Sequence, residues 1–185
     1  AHAFDFEWSN RTLFYGQYSR TRSYFDNSEL AATGVPEGDE LKLLKPYRGR
    51  IPDEVFSQEY NPPKTDGSGY IRPNLRKASR LLTRAGWVIK GRQRVNEKTG
   101  KPLEFEVLLV SPLFERIVLP FAKNLEKLGV KASVRTVDPS QYRRRLDTFD
   151  FDVIVGGAGQ SLSPGNEQRS FWSSVAADLE GGRNF

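Results

Sequence analysis

The chain contains no cysteine, no methionine and a single histidine, His2, in 185 residues. Without cysteine there is no disulfide framework, no thiolate zinc site and no cysteine nucleophile. The compartment stays open, because an oxidising space permits disulfides without requiring them. With one histidine near the amino end, any serine–histidine pair would have to draw on His2. Long hydrophobic runs are missing too. The longest, such as Val107 to Val110 and Ile117 to Ala122, fall far short of the ~20 apolar residues that cross a bilayer. Neither a signal peptide nor a methionine opens the sequence. No physical reason accounts for the missing methionine.

What is present suits one globular domain. Hydrophobic residues make up 37% and charged residues 28%, too apolar a mixture for disorder. The net charge of +5, from 28 basic and 23 acidic residues, admits either a nucleic-acid partner or a solvated basic surface. We read a surface. Arg143-Arg-Arg145 is then a solvent-facing helix side whose buried face is Tyr142 and Leu146.

Residues 1–70 read as an irregular, partly helical arm and linker. Aromatics from Phe4 to Tyr15 suggest a half-buried helix and turn, Ser23 to Pro36 a loop, Glu37 to Tyr47 a short helix, and Asn61 to Gly69 a turn-rich loop. Residues 71–185 read as an α/β core. Ile71, Leu75, Ala78, Leu81, Leu82 and Ala85 recur at helical spacing, with Pro73 in the first turn and Gly86 as the stop. Trp87 to Val95 suggests a strand or hairpin about Gly91. Leu103, Phe105 and Val107 alternate with Glu104 and Glu106 as in a half-buried strand. Ser111-Pro112 opens a helix with Phe114, Ile117, Val118, Phe121, Leu125 and Leu128 inward, a kink at Pro120 and a stop at Gly129. Val130, Ala132 and Val134 mark the next strand, Asp138-Pro139 the next helix, and Phe151 to Val155 a short strand of the sheet interior. Strand–helix–strand–helix–strand predicts parallel pairing through right-handed crossovers.

The glycine-rich stretch Gly156-Gly-Ala-Gly159-Gln-Ser-Leu-Ser-Pro-Gly165 comes directly after that strand. It is no phosphate cradle, for it lacks the Gly-Lys-Ser/Thr of a P-loop, and its glycines do not run into a helix as a dinucleotide fingerprint requires. Gly159-Gln-Ser161 resembles a nucleophile elbow, but serine stands where the last glycine belongs. A serine hydrolase using Ser161 is therefore the alternative reading. A loop leaving the carboxyl end of a sheet strand is where open α/β sheets bind ligands. Gly159, Gln160, Ser161, Leu162, Ser163 and Asn166 are the candidate ligand contacts, with Trp172 as an aromatic to stack on something. Asp150 and Asp152 read as capping or turn residues in preference to a metal pair.

Asn74-Leu-Arg-Lys-Ala-Ser-Arg-Leu-Leu-Thr-Arg-Ala-Gly-Trp87 resembles a segment of the oligopeptide- and dipeptide-binding proteins of ABC transporters, the family 5 extracellular solute-binding proteins. Asn124-Leu-Glu-Lys-Leu-Gly-Val130, Val137-Asp138, Gln141-Tyr142 and Phe149-Asp-Phe-Asp152 come in the family's order. Asp5-Phe-Glu-Trp8, Leu13-Phe-Tyr-Gly-Gln17, Asn27-Ser-Glu-Leu30, Thr65-Asp-Gly-Ser-Gly69 and Gly159-Gln-Ser-Leu-Ser-Pro-Gly-Asn-Glu-Gln168 resemble its microcin C and oligopeptide receptor branch.

The resemblance implies most of the second lobe of a two-lobed periplasmic receptor, a mixed sheet flanked by helices. It implies no catalytic residue, cofactor, metal or nucleic acid, and a monomer that hands peptides or peptide-like solutes to membrane permease subunits. The sequence stops at Gly182-Arg-Asn-Phe185, where the family continues, as a truncated chain would. Two departures stand out. Relatives carry an aspartate in the post-strand loop for the peptide's amino group, where this chain has Gln160-Ser161-Leu162, and the branch has tryptophan where this chain has Ala158.

Overall fold

Asp5 starts the first helix of the computed structural model. Its carboxylate accepts the Trp8 amide at 3.1 Å, and α1 spans Phe6–Leu13. The structure describes every residue except Asn27, Ala158, Arg183 and Phe185, so readings that rest on those four lie outside the described residues. The chain forms two units, one of residues 1–19, 63–159 and 163–185, the other of residues 20–62 and 160–162. α1 thus belongs with the α/β core, and the boundary expected at residue 70 does not coincide with the division in space.

In the second unit, α2 (Gly38–Leu44) runs into a 3-10 turn, Lys45–Tyr47, and α3 spans Glu54–Ser57. Neither α2 nor α3 has a buried residue. Polar turns and ring contacts hold the unit instead. Asp26 accepts the amides of Arg22 at 2.7 Å and Ser23 at 3.1 Å, and the Arg48 guanidinium lies 4.2 Å over the Phe56 ring.

In the first unit, α4 (Arg72–Arg84) begins with proline in its first turn and ends at Gly86, whose φ of +80° only glycine adopts cheaply. Ile71 and Leu75 are buried with Ala78 and Leu82 packed behind them. Leu81, expected inward, is exposed. It lies roughly 90° round the helix from the centre of that stripe. Ala85 is exposed also, one residue past the helix. β1 (Trp87–Lys90) and β2 (Gln93–Asn96) form the antiparallel hairpin about Gly91.

β3 (Glu104–Leu109) is central to a three-stranded sheet. Its second half is apolar on both faces, and Val107, Leu108 and Leu109 are at most 2% exposed. Ser111 accepts the Leu113 amide at the start of a 3-10 turn, Pro112–Phe114, from which α5 (Glu115–Glu126) continues. The helix therefore opens tighter than its cap alone suggests, and it runs unbroken through Pro120. β4 (Lys131–Thr136) pairs parallel with β3, Val107 opposite Val134. Asp138 caps α6 (Pro139–Asp147) by accepting the amides of Ser140 and Gln141. β5 (Val153–Ile154) pairs parallel with the other side of β3.

The strand order β4-β3-β5 corrects the expectation for Phe151 to Val155. β5 is an edge strand among the described residues, with Val153 37% and Val155 38% exposed, because β3 takes the interior place. The parallel and antiparallel pairings expected of one mixed sheet lie in two separate sheets. After β5 the chain reaches α7 (Glu167–Trp172) and a closing 3-10 turn, Ser174–Ala176.

The two sheets meet through Arg94. Its side chain is 1% exposed and donates to Leu128 O at 3.1 Å, Trp87 O at 2.9 Å, Ser79 Oγ at 2.9 Å and Thr83 Oγ1 at 3.2 Å. Its backbone amide donates to Gly129 O, and its carbonyl accepts from Leu103 N. Gly129 has a φ of +76°, and a Cβ there would meet Arg94 N at 2.9 Å.

Arg94→Met keeps the side chain's length but leaves the buried Leu128 carbonyl and the half-buried Trp87 carbonyl without this donor. It is expected to lower the unfolding free energy by about 2–4 kcal/mol in urea melts. Asp152 Oδ2 accepts the Glu106 amide at 2.9 Å, bracing β5 against β3. Asp152→Ala is expected to cost about 1 kcal/mol and to speed hydrogen exchange at the Glu106 amide, while Val134 on the opposite strand exchanges as before.

Candidate functional site

Because β3, β4 and β5 are parallel, their carboxyl ends share one edge of the sheet. Ser111, which caps the 3-10 turn before α5, and Asp138, which caps α6, both lie just past that edge, and so does the stretch from Gly156. Ligands of open parallel sheets collect outside such an edge.

Gly156, Gly157 and Gly159 are exposed. None has a positive φ, and a Cβ added at any of them would meet nothing within 4 Å. Neither backbone conformation nor packing therefore demands glycine here, and the bare main chain remains open to a partner. Ser163 and Asn166 are exposed on the way into α7. Asn166 stands at the N-cap position, but its side chain makes no capping bond. Glu167 folds back instead of facing outward, its Oε1 accepting the Gly165 amide at 2.9 Å. Trp172 is 40% exposed and meets Phe171 edge-on, the ring centroids 6.5 Å apart.

Gln160, Ser161 and Leu162 group with residues 20–62. Gln160 is half-buried, Ser161 exposed and Leu162 77% exposed. Of the seven candidate contacts, Gly159, Ser163, Asn166 and Trp172 thus belong to the first unit, and Gln160, Ser161 and Leu162 to the second. His2, on which a hydrolase would depend, is half-buried in the first unit. Burial, and after it the positive charges of Lys77 and the amino terminus, hold its pKa below the ordinary histidine value.

Sequence reasoning missed the braces around this edge. Arg145 is not a solvated residue. Its guanidinium donates to Glu106 Oε1 at 2.9 Å and pairs with Asp150 Oδ2 at 3.0 Å, and the bond to Glu106 raises its pKa. Asp150 and Asp152 act as braces where capping or turn roles were expected: Asp150 pairs with Arg145 of α6, and Asp152 accepts the Glu106 amide of β3. Arg143 pairs with Asp147 one turn on. No local pattern announces partners 39 and 46 residues apart in sequence.

A model of the bacterial extracellular solute-binding proteins, family 5 Middle, matches residues 1–178. The chain is 51% identical over its whole length to an uncharacterised Sinorhizobium fredii protein, y4wM, and covers 28% of that protein. It is 46% identical to a probable peptide-binding protein, YejA, and 38% identical to a peptidoglycan-binding protein, YepA, both of Agrobacterium fabrum; it covers 30% of each. It therefore spans less than a third of the length of these relatives. Among solved structures it resembles the oligopeptide-binding protein AppA of Bacillus subtilis in complex with a nonapeptide. There the TM-score is 0.59 and the identity 19%, over 97% of this chain and 30% of that one. The α/β fold is that of part of a periplasmic-type binding protein, and the chain belongs to the bacterial extracellular solute-binding proteins of family 5.

Proposed function

We propose that the chain is part of the substrate-binding component of an ABC importer, capturing peptides or peptide-like solutes and delivering them to membrane permease subunits. The observation that carries this reading is the family match across residues 1–178, with a relative named as peptide-binding aligned over 99% of the chain. The receptor works in the periplasm as a monomer, and this chain supplies most of one lobe of a two-lobed clamp. Binding alone does the work. A serine hydrolase using Ser161 draws no support from the family, and a fluorophosphonate probe should leave Ser161 unlabelled. The relative named for peptidoglycan widens the solute class to peptides that carry sugar.

Gly159, Gln160, Ser161, Leu162, Ser163, Asn166 and Trp172 contact the ligand in this reading. Open glycine backbone and uncharged donors and acceptors suit the amides of a peptide in any sequence. They suit a free ammonium poorly. A charge-assisted hydrogen bond contributes about 1.5–3 kcal/mol, and a buried ammonium facing only amide and hydroxyl oxygens leaves its charge largely uncompensated. Glu167 is the nearest acid in sequence, and it is engaged with the Gly165 amide.

Mass spectrometry of solutes that co-purify with the whole protein tests the proposal directly, and peptide-bearing molecules are expected. Paired calorimetric titrations with free and formylated forms of one such peptide should differ by less than about tenfold, or ~1.4 kcal/mol. A larger preference for the free amine would place the anchor on an acid outside residues 159–166.

A further inference from the structure

Five cations project from α4: Arg72, Arg76, Lys77, Arg80 and Arg84. The helix carries no acid, and all five side chains are exposed. Removing them from the count leaves 23 basic residues, equal in number to the 23 acidic ones, so one helix accounts for the whole net charge of +5. The spacing is regular. The four arginines recur every fourth residue, about 6 Å apart along the axis, and form a row about 18 Å long.

Among the described residues none of the five side chains enters an ion pair or a hydrogen bond, while seven ion pairs form elsewhere. Like charges at that spacing repel one another. The buried face of the helix does not require them, since Ile71, Leu75, Ala78 and Leu82 make its packing. Beside the row lies a cleft of about 460 Å³ lined by Tyr70, Arg72, Arg76, Ser79 and Lys127, with Ile71, Leu75 and Leu128 as its apolar floor. Tyr70, which lines this cleft, is 60% exposed, and Leu81 of the same helix is 40% exposed.

We propose that this face of α4 docks on anionic phospholipid, its arginines meeting headgroup phosphates and the cleft receiving one headgroup. Arginine suits the task because its planar fork binds phosphate oxygens in pairs. The exposed tyrosine and leucine favour a lipid surface over a nucleic acid, since an aromatic ring and an aliphatic side chain rest well at the boundary of headgroups and acyl chains. The apolar face of α4 is already committed to the core. The contact is therefore peripheral and electrostatic, and it weakens as salt shortens the Debye length. It stands apart from solute capture and does not depend on it.

Sedimentation of the whole protein with vesicles of phosphatidylglycerol in phosphatidylcholine, against pure phosphatidylcholine, tests the proposal. Binding to the anionic vesicles alone is expected, weakening as salt is added. The double variant Arg76→Gln, Arg80→Gln should reduce the partition coefficient about tenfold or more, since each cation near such a surface contributes several-fold. Its thermal melt should be unchanged or higher, because repulsion has been removed. Lys98→Gln with Lys101→Gln, in the exposed turn after β2, changes net charge equally and should bind as the parent does.

No preference for anionic vesicles would overturn the proposal, and so would equal losses in the two double variants. Tighter binding to duplex DNA or polyglutamate than to vesicles would assign the row to another polyanion and overturn it too. Glycerol phosphate should compete only weakly; full competition at micromolar levels would mean that a soluble phosphate ester is the ligand.

Discussion

A guanidinium buried without a carboxylate is the constraint on which the first unit depends. Desolvation penalises the charge of Arg94 and lowers its pKa, and among the described residues no ion pair compensates it. What compensates it is position. Ser79 and Thr83 lie in the last two turns of α4, and Leu128 O lies just beyond the last turn of α5. The partial negative charge at the carboxyl ends of two helices therefore converges on one cation. Each acceptor is neutral, so the arrangement depends on their number, and a lysine with three donors and no fork could not reach them all.

The geometry at Arg94 also sets the order in which the strands join. Its carbonyl accepts the Leu103 amide, and Leu103 O in turn accepts the Lys131 amide, so β2 leads into β3 and β3 into β4 in one continuous set of bonds. Gly129 has to be bare for the hairpin to approach the end of α5 this closely. With β3 and β4 in register, Val107, Leu109 and Val118 close one cluster, while Leu75, Leu125, Leu128 and Val130 close the other. β5 adds to the other side of β3 through two residue pairs and the Asp152 brace. The edge from which Gly156 departs is thus fixed by contacts at the far end of α5, a helix about 18 Å long.

Much of this fold was legible in sequence because its signals are local. Proline in the first turn, aspartate and serine caps, and positive-φ glycines at 86 and 129 each act within four residues. Helical spacing placed Leu75, Leu82, Val118 and Leu125 inward correctly. It failed for Leu81, because a stripe read by spacing alone has no defined edge. It failed also for β5, where an apolar run looked like a sheet interior although interior position is decided by which strands pair. Arg94 and Arg145 could not be read at all. Their partners lie as far as 34 and 39 residues away, and in sequence they look like any other surface arginine. The candidate site shows the same division. Its place after a strand was legible, whereas the grouping of Gln160, Ser161 and Leu162 with residues 20–62 depends on long-range contacts.

Charge shows most plainly why composition alone misleads. Arg94 is offset by helix ends, Arg145 by two carboxylates, and Arg143 by one turn of its own helix. These arginines are structural, and the balance of 23 bases with 23 acids outside α4 contains them. The row on α4 differs in kind. It repels itself, and among the described residues no acid pairs with it to offset that repulsion. Helix propensity offers one local reason for arginine at exposed positions, since arginine ranks among the better helix formers. Glutamate and glutamine would serve as well, and alternation with glutamate would turn repulsion into attraction at the same spacing. Propensity therefore explains why these positions hold long straight side chains, and leaves their single sign to be explained by something outside the helix.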